Sequence, residues 1–332
     1  MDLKNKTVAV TGGSGFLGKR IVEKLKQKGA KVIIPRQKDY DFTDLNQNRK
    51  FFNENKMDIL IHSAAVYGGI AINEKMPADI FDVNTRMLLN IFKAALEFHS
   101  KIGLKKIVLV SSACAYPSSL GTDMREELLW NGPADRSVMN YGVVKRLMET
   151  IGHVYRTQYG LHSINLPLAT LYGEGDTYNP LRSHAVAALI RKIVEAHKEG
   201  KDKVELWGTP DIVREFIYVK DAAEGIVLAT EKFEGMKNFD EESNDQSKYT
   251  LNIGTGNNGI NIGALAKLIA DIVGCKAEFI YSGKSAGQKE KALDIGRMKK
   301  VLNWQPTTTL EKGLKKTISW YIKNKTEADK RF

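Results

Sequence analysis

The sequence predicts an α/β chain, a doubly wound parallel sheet joined to a smaller α/β substrate-binding lobe. Three observations predict it. Short apolar runs alternate with amphipathic helical runs from residue 6 to residue 112, the pattern of consecutive β-α-β units. A glycine-rich turn, TGGSGFLG at 11–18, follows the first apolar run and opens the first helical one. The length of 332 residues exceeds what a single hydrophobic core commonly serves, so two lobes are expected.

The elements follow in order. Residues 6–11 (KTVAVT) read as a buried strand, and 15–28 as a helix with Phe16, Leu17, Ile21, Val22 and Leu25 at helical spacing. Gly29 closes that helix. Strands are expected at 31–35, 57–62 and 106–112, a short helix at 49–55 and a long amphipathic one at 79–98. A helix at 141–159 and a strand at 162–168 follow. Beyond Gly173 the pattern loosens, with helices at 182–198 and 262–273, short strands at 204–207, 215–219 and 251–253, and a polar surface loop at 233–248. The expected division is a dinucleotide-binding domain over 1–170, with the chain returning at about 215–255, and a substrate-binding domain over 171–214 and 256–332.

Composition narrows the function classes. Hydrophobic residues at 42% and charged residues at 27% are ordinary globular values. No window approaches the ~20 apolar residues of a membrane span, and the N-terminus reads as a first strand rather than a signal peptide, so no membrane partner is expected. Two cysteines, Cys114 and Cys275, imply no disulfide framework and suit a reducing cytoplasm. The net charge of +11 is dispersed along the chain, without a basic stripe interleaved with aromatics. It therefore points to solvated faces and an anionic small ligand rather than to nucleic acid. No metal site is expected.

Gly12, Gly15 and Gly18 carry the G-x-x-G-x-x-G spacing between a strand and a helix. There, glycine allows a tight turn and a close approach of pyrophosphate to backbone N–H groups, the Rossmann-type device for a dinucleotide. At the end of the second strand the chain reads IIPRQKD, with Arg36 and Lys38 where NAD enzymes place an acid for the ribose hydroxyl. Basic residues there suit a 2′-phosphate, so NADP(H) is expected over NAD(H). Of Asp41 and Asp44, one can accept from the adenine amine and the other cap a helix. Tyr141 and Lys145, four apart on a helix, share a face. An ammonium beside a phenol is expected to lower its pKa from ~10 and fit it for proton transfer to a hydroxyl. Ser112, at a strand end, can bond the same oxygen.

Together these residues resemble the extended short-chain dehydrogenase/reductase superfamily over nearly the whole chain. Within it the chain is similar to the GDP-L-fucose synthases, the GDP-4-keto-6-deoxymannose epimerase-reductases. The stretches that carry the likeness are Gly68-Gly69-Ile70 followed by Pro77-Ala78-Asp79, SSACAYP at 111–117, LYG at 171–173, Ser183-His184, WGTPDIVREF at 207–216 and, more loosely, GQKEKALD at 287–294. The resemblance implies one site that epimerises C3 and C5 beside a C4 ketone and then reduces the ketone with NADPH. It implies Ser112, Tyr141 and Lys145 as the reductive set and Cys114 and His184 as the acid–base pair. Read as residues alone, Cys114 is equally a small buried hydrophobe, and His184 a helix cap or phosphate ligand. The expected cofactor contacts are Gly12, Gly15, Phe16, Leu17, Gly18, Arg36, Asp41, Ala64, Tyr141 and Lys145. For a GDP-linked substrate the resemblance implies Trp207, Arg214, Lys291 and a basic residue at Arg191 or Lys192, without choosing between the two. It also implies a homodimer formed through helices 79–98 and 141–159.

Departures bear on the substrate. Thr170 stands where the family has Asn before LYG, and Ser285 and Lys289 stand where it has prolines. A redox-neutral GDP-mannose 3,5-epimerase is the nearest rival, weakened by the missing acid after the second strand and by His184 where that enzyme carries lysine. A 4,6-dehydratase would need acidic residues where Ala113 and Cys114 stand. A simple C4 epimerase has no use for Cys114 and His184, and a reductase of another keto sugar stays open. A non-catalytic dinucleotide sensor would be expected to lack part of the Ser–Tyr–Lys set.

Overall fold

The computed structural model describes residues 1–236, 246–283 and 287–330, so part of the polar 233–248 segment, and Ser285, lie outside it. The first half builds β1 (Thr7–Thr11), α1 (Phe16–Gln27), β2 (Lys31–Ile33), α2 (Leu45–Glu54), β3 (Ile59–His62), α3 (Ile70–Lys75), α4 (Pro77–Ile102), β4 (Lys106–Val110), α5 (Met139–Tyr159) and β5 (Ser163–Leu166). The five strands form one sheet in the order β2-β1-β3-β4-β5, every pair parallel. Its register aligns Val10, Ile61, Val108 and Ile164 across the sheet.

The strands are apolar on both sides because both faces are covered. Val8, Val10, Ile59, Ile61, Val108 and Ile164 pack with Ile21 and Leu25 of α1 on one face. The alternate residues, Ala9, Leu60, Ile107 and Leu109, pack with Phe51, Phe52, Leu88, Ile91 and Phe92 of α2 and α4 on the other. Cutting one of these large side chains to alanine costs about 2–5 kcal/mol.

The second half builds β6 (Thr170–Tyr172), α6 (Ala185–Glu199), β7 (Lys203–Leu206), β8 (Val213–Arg214), β9 (Phe216–Tyr218), α7 (Val219–Lys232), β10 (Ile260–Asn261), α8 (Ile262–Val273), β11 (Glu278–Tyr281), β12 (Glu290–Lys291), α9 (Gly296–Leu302) and α10 (Leu310–Ala328). These strands pair in small sets: β6 with β9, β7 with β11, and β8 between β10 and β12. A separate core unites Ile190 and Ile193 of α6, Leu265 and Ile269 of α8, and Leu314, Ile318 and Tyr321 of α10. Helix α7 instead joins the first core through Ala222, Ile226 and Ala229, as do Met298 and Leu302 of α9.

Three local expectations are corrected. Helix α2 starts at Leu45 rather than at 49, because the Asp44 carboxylate accepts from the N–H groups of Asn46 (2.6 Å) and Gln47 (3.1 Å) and so nucleates the helix on polar residues. The 251–253 stretch is no strand of its own. It makes isolated parallel bridges, Asn165 with Thr250 and Leu168 with Ile253, beside the chain of β5. Phe233, assigned to a surface loop, is fully buried, and the buried Lys106 ammonium donates to its carbonyl and to that of Thr230, each at 3.0 Å.

Candidate active site

A cleft of about 1000 Å³ runs from the β1–α1 turn, past the ends of β3 and β4, to Trp207 and Arg214. The turn depends on two glycines. Gly12 has φ +69°, and a Cβ on it would stand 2.8 Å from the Ala64 nitrogen; one on Gly18 would stand 2.0 Å from the Gly12 carbonyl oxygen. The β1 end and α1 therefore approach closely, and α1 follows its N-cap Gly15 with no side-chain cap over its first N–H groups. That arrangement fits a pyrophosphate. Phe16, Leu17 and Ala64 line the same end of the cleft. Arg36 lies exposed there, its guanidinium donating to the Ser14 hydroxyl. Asp41 also lines the cleft, accepting from the Thr43 N–H (2.9 Å) and hydroxyl (2.8 Å), while Asp44 takes the helix cap.

Beneath this end the floor is buried and hydrogen-bonded. Thr11 Oγ1 accepts from the Ala64 N–H at 3.2 Å and lies 2.9 Å from Nδ1 of the buried His62. Burial, reinforced by the Lys145 charge, pulls the His62 pKa down to about 3.

Further along stand Ser112, Tyr141 and Lys145. Lys145 donates to the Val110 carbonyl at 2.8 Å, and its ammonium lies 5.3 Å from the Tyr141 ring centroid. The Ser112 Oγ accepts from the Cys114 N–H at 3.2 Å. Gly142 lets α5 lie against this turn, since a Cβ there would meet the Cys114 carbonyl oxygen at 2.3 Å. The expected lowering of the Tyr141 pKa is reversed. Burial raises it well above the ordinary phenol range, helped by Cys114 and Tyr67, while burial pulls Lys145 down to about 7. Desolvation disfavours both charged forms and is the dominant cause for each.

The remaining predicted groups come from the second half of the chain. Lys291, on β12 and in register with Arg214 on β8, donates to the Cys114 sulfur at 3.4 Å. Cys114 is half-buried, not a core hydrophobe. His184 occupies the N-cap position of α6, yet its side chain makes no cap hydrogen bond. Burial, then the Lys291 charge, holds it down to about 4, so it is neutral at pH 7. Arg214 donates to the carbonyls of Val213 (2.8 Å) and Lys289 (3.4 Å), and the nearby Asp135 carboxylate favours its charge against burial. Trp207, 52% exposed, stands at the far end.

Of the basic pair left open, Lys192 lines the cleft and Arg191 does not. The Arg191 guanidinium instead donates to the Tyr178 carbonyl at 2.9 Å and to Glu195 at 3.2 Å, because its place on α6 turns it toward α10. Two lining residues escaped the sequence reading. Asp135 ties Ser137 to the Gln288 N–H (2.7 Å), and Tyr67 stacks on His184. Their only signals were an Asp before a helix and an aromatic before Gly68-Gly69.

Arg36, Lys145, Lys192, Arg214 and Lys291 line the cleft against two carboxylates, Asp41 and Asp135. Such a cation excess selects polyanionic ligands. Among the described residues no helix is long and apolar enough to cross a membrane, and no cluster of metal-ligating side chains is found.

Comparison with known proteins agrees with this geometry. The NAD dependent epimerase/dehydratase family matches residues 8–254. GDP-L-fucose synthase 1 of Arabidopsis thaliana is 30% identical over 98% of this chain and 95% of its own length. GDP-L-fucose synthase of Escherichia coli (strain K12) is 29% identical over 97% of this chain and 98% of its own. A GDP-L-fucose synthetase of Naegleria fowleri, solved with NADP bound, shares the fold with a TM-score of 0.83 at 24% identity, over 98% of this chain and 96% of that one. The chain therefore belongs to the NAD dependent epimerase/dehydratase family, among the extended short-chain dehydrogenase/reductases, and is similar along its whole length to the GDP-L-fucose synthases.

Proposed function

We propose that the chain is an NADPH-dependent epimerase-reductase of a nucleotide-linked 4-keto sugar, converting GDP-4-keto-6-deoxy-D-mannose to GDP-L-fucose. The observation that carries this reading is a single cation-rich cleft lined by both the reductive set, Ser112, Tyr141 and Lys145, and the acid–base pair, Cys114 and His184. The names of its full-length relatives point to the same substrate.

The residues divide the chemistry. A C4 ketone acidifies the neighbouring C–H bonds, and the oxygen of the resulting enolate needs donors, which the Ser112 and Tyr141 hydroxyls supply. Cys114 and His184 are the base and the acid that exchange protons with the carbons beside the ketone, on opposite faces of the sugar. The Lys291 ammonium 3.4 Å from the sulfur is the counter-charge for the thiolate form of Cys114. The NADPH cofactor, when bound, supplies hydride to C4. Tyr141, kept protonated by burial, gives its proton to the C4 oxygen, with the Lys145 ammonium beside the phenolate ring. The glycine turn would hold the cofactor pyrophosphate, and Arg36 would bind the 2′-phosphate that distinguishes NADP from NAD. Arg214, Lys192 and Trp207 hold the nucleotide diphosphate end of the substrate.

The lobes share the work, residues 1–170 with the return at 215–255 holding the cofactor and the rest the sugar nucleotide. The same reading makes the enzyme a homodimer through α4 and α5, which pack together and leave Phe81, Leu89, Val143 and Val154 exposed. Its two unpaired cysteines suit the cytoplasm.

The test is NADPH consumption with GDP-4-keto-6-deoxymannose, with NADH in parallel. Oxidation of NADPH with a product inverted at C3 and C5 supports the reading. A product without inversion keeps the reductase and removes the Cys114–His184 role. No consumption with either cofactor overturns the reading in favour of a redox-neutral epimerase or another keto sugar.

A further inference from the structure

Tyr67 lies in the loop between β3 and α3, and its ring stacks on the His184 imidazole with centroids 5.8 Å apart and planes 11° apart. The two residues come from opposite halves of the chain, and their loops meet backbone to backbone. The Gly69 N–H donates to the Arg182 carbonyl at 3.1 Å. A Cβ on Gly69 would stand 2.7 Å from the Ser183 carbonyl oxygen, and one on Gly68 would stand 2.6 Å from Ile72 and 3.2 Å from the Arg182 carbonyl oxygen. Asn73, only 4% exposed, locks the loop from below by donating to the carbonyls of Gly68 (3.2 Å) and Gly69 (3.0 Å). On the other side the Ser183 N–H donates to the Asn179 carbonyl at 2.8 Å, and α6 starts at once, the Ala188 N–H donating to the His184 carbonyl at 2.9 Å. Both backbones are therefore held, while the imidazole makes no cap bond to its own helix. The Tyr67 ring lies nearly parallel to its plane. The phenol of Tyr67 is also close enough to Tyr141 to raise its pKa further, so one side chain adjoins both proton-transfer groups.

We propose that Tyr67, anchored by the Gly68-Gly69 dock on residues 182–183, is a positioning residue that sets the orientation of the His184 imidazole for proton transfer. The inference rests on the epimerase-reductase reading. A general acid or base acts only from a near-attack geometry, and small misplacements of a reacting group cost large factors in rate. Flat aromatic contact supplies that orientation, which an aliphatic side chain of similar bulk does not.

The experiment uses the full chain, its Tyr67→Phe variant, which keeps the ring, and Tyr67→Leu, which removes it. Two rates are measured. Deuterium incorporation at C3 and C5 of GDP-4-keto-6-deoxymannose in D2O, without cofactor turnover, reports proton transfer. Oxidation of GDP-L-fucose by NADP+ in initial rate reports the hydride step. The expected result is a loss of about fivefold or more in the kcat of exchange for Tyr67→Leu, with KM and the hydride step held within about threefold. Tyr67→Phe is expected to keep exchange within about threefold of the parent. A smaller loss in Tyr67→Leu, an equal loss in Tyr67→Phe, or a parallel fall of the hydride step overturns the positioning role. A parent chain that oxidises GDP-L-fucose but exchanges no deuterium overturns the epimerase reading itself, and this role with it. Tyr67→Met carries the same comparison if the leucine variant does not fold.

Discussion

Replacing His62 by Asn is expected to make the protein less sensitive to acid. His62 ends β3, is fully buried and lies 2.9 Å from Thr11 Oγ1. Its folded pKa is about 3, against an ordinary value of 6.5, because burial and the Lys145 ammonium both oppose the imidazolium. Between those values the unfolded chain binds a proton that the folded chain refuses. Stability therefore falls as pH drops through 6.5 and goes on falling until about 3. Integrated from pH 7 to pH 5, this one group costs about 2 kcal/mol. Asparagine can still partner Thr11 and does not titrate in this window. His162 and His184, also held neutral by burial, act alike in parent and variant and cancel in the comparison. Urea unfolding of both proteins at pH 7, 6 and 5 measures the difference. The variant should lose about 2 kcal/mol less than the parent across that range. Equal losses would mean that His62 is protonated in the folded protein, and the picture of a dry floor beneath the cofactor end would be wrong.

Other outcomes follow from the same geometry. Glu126 behaves with the opposite sign: burial raises its folded pKa to about 7, so it contributes stability at low pH that is lost as pH rises through 7. Glu126→Gln should therefore remove about 2 kcal/mol of pH dependence between pH 5 and 7, read from the same urea series. Gly142→Ala would press a methyl group onto the Cys114 carbonyl; calorimetry should show a loss of about 1–3 kcal/mol, and deuterium exchange should fall more than cofactor affinity. Arg36→Ala should weaken NADPH about tenfold in a fluorescence titration while changing NADH little, since only the charge-assisted contact to the 2′-phosphate is lost. Leu89→Asp, placing a carboxylate on the exposed apolar side of α4, should sediment as a monomer; an unchanged dimer would remove that helix from the interface.

Much of this was legible because it is local. The run 106–112, apolar over 107–110 and rich in β-branched residues, reads as a buried strand, and β4 has every residue buried. The glycine spacing states its own geometry at Gly12 and Gly18, where a Cβ would stand under 3 Å from neighbouring backbone. The helix 262–273 was readable to the residue because its apolar period ends at Gly274, which adopts φ +82°. Other features were not legible because they depend on solvation or on distant chain. Tyr141 and Lys145 share a helix face in sequence, but whether charge attraction or desolvation prevails depends on what packs over them. Arg191 and Lys192 are neighbours of equal charge, and only the turn of α6 between the second core and the cleft separates them.

By itself the sequence determined the succession of the five parallel strands and of helices α1, α2, α4 and α5, the glycine-rich turn and the candidate Ser–Tyr–Lys set, because period, capping and glycine sterics act within a few residues. Tertiary structure alone decided that Lys291 meets Cys114 across 177 residues, that Tyr67 meets His184, and that His62, His162, His184 and Lys145 are driven toward neutrality. Those outcomes depend on which surfaces exclude water together, and desolvation belongs to the assembled cleft rather than to any segment of the chain.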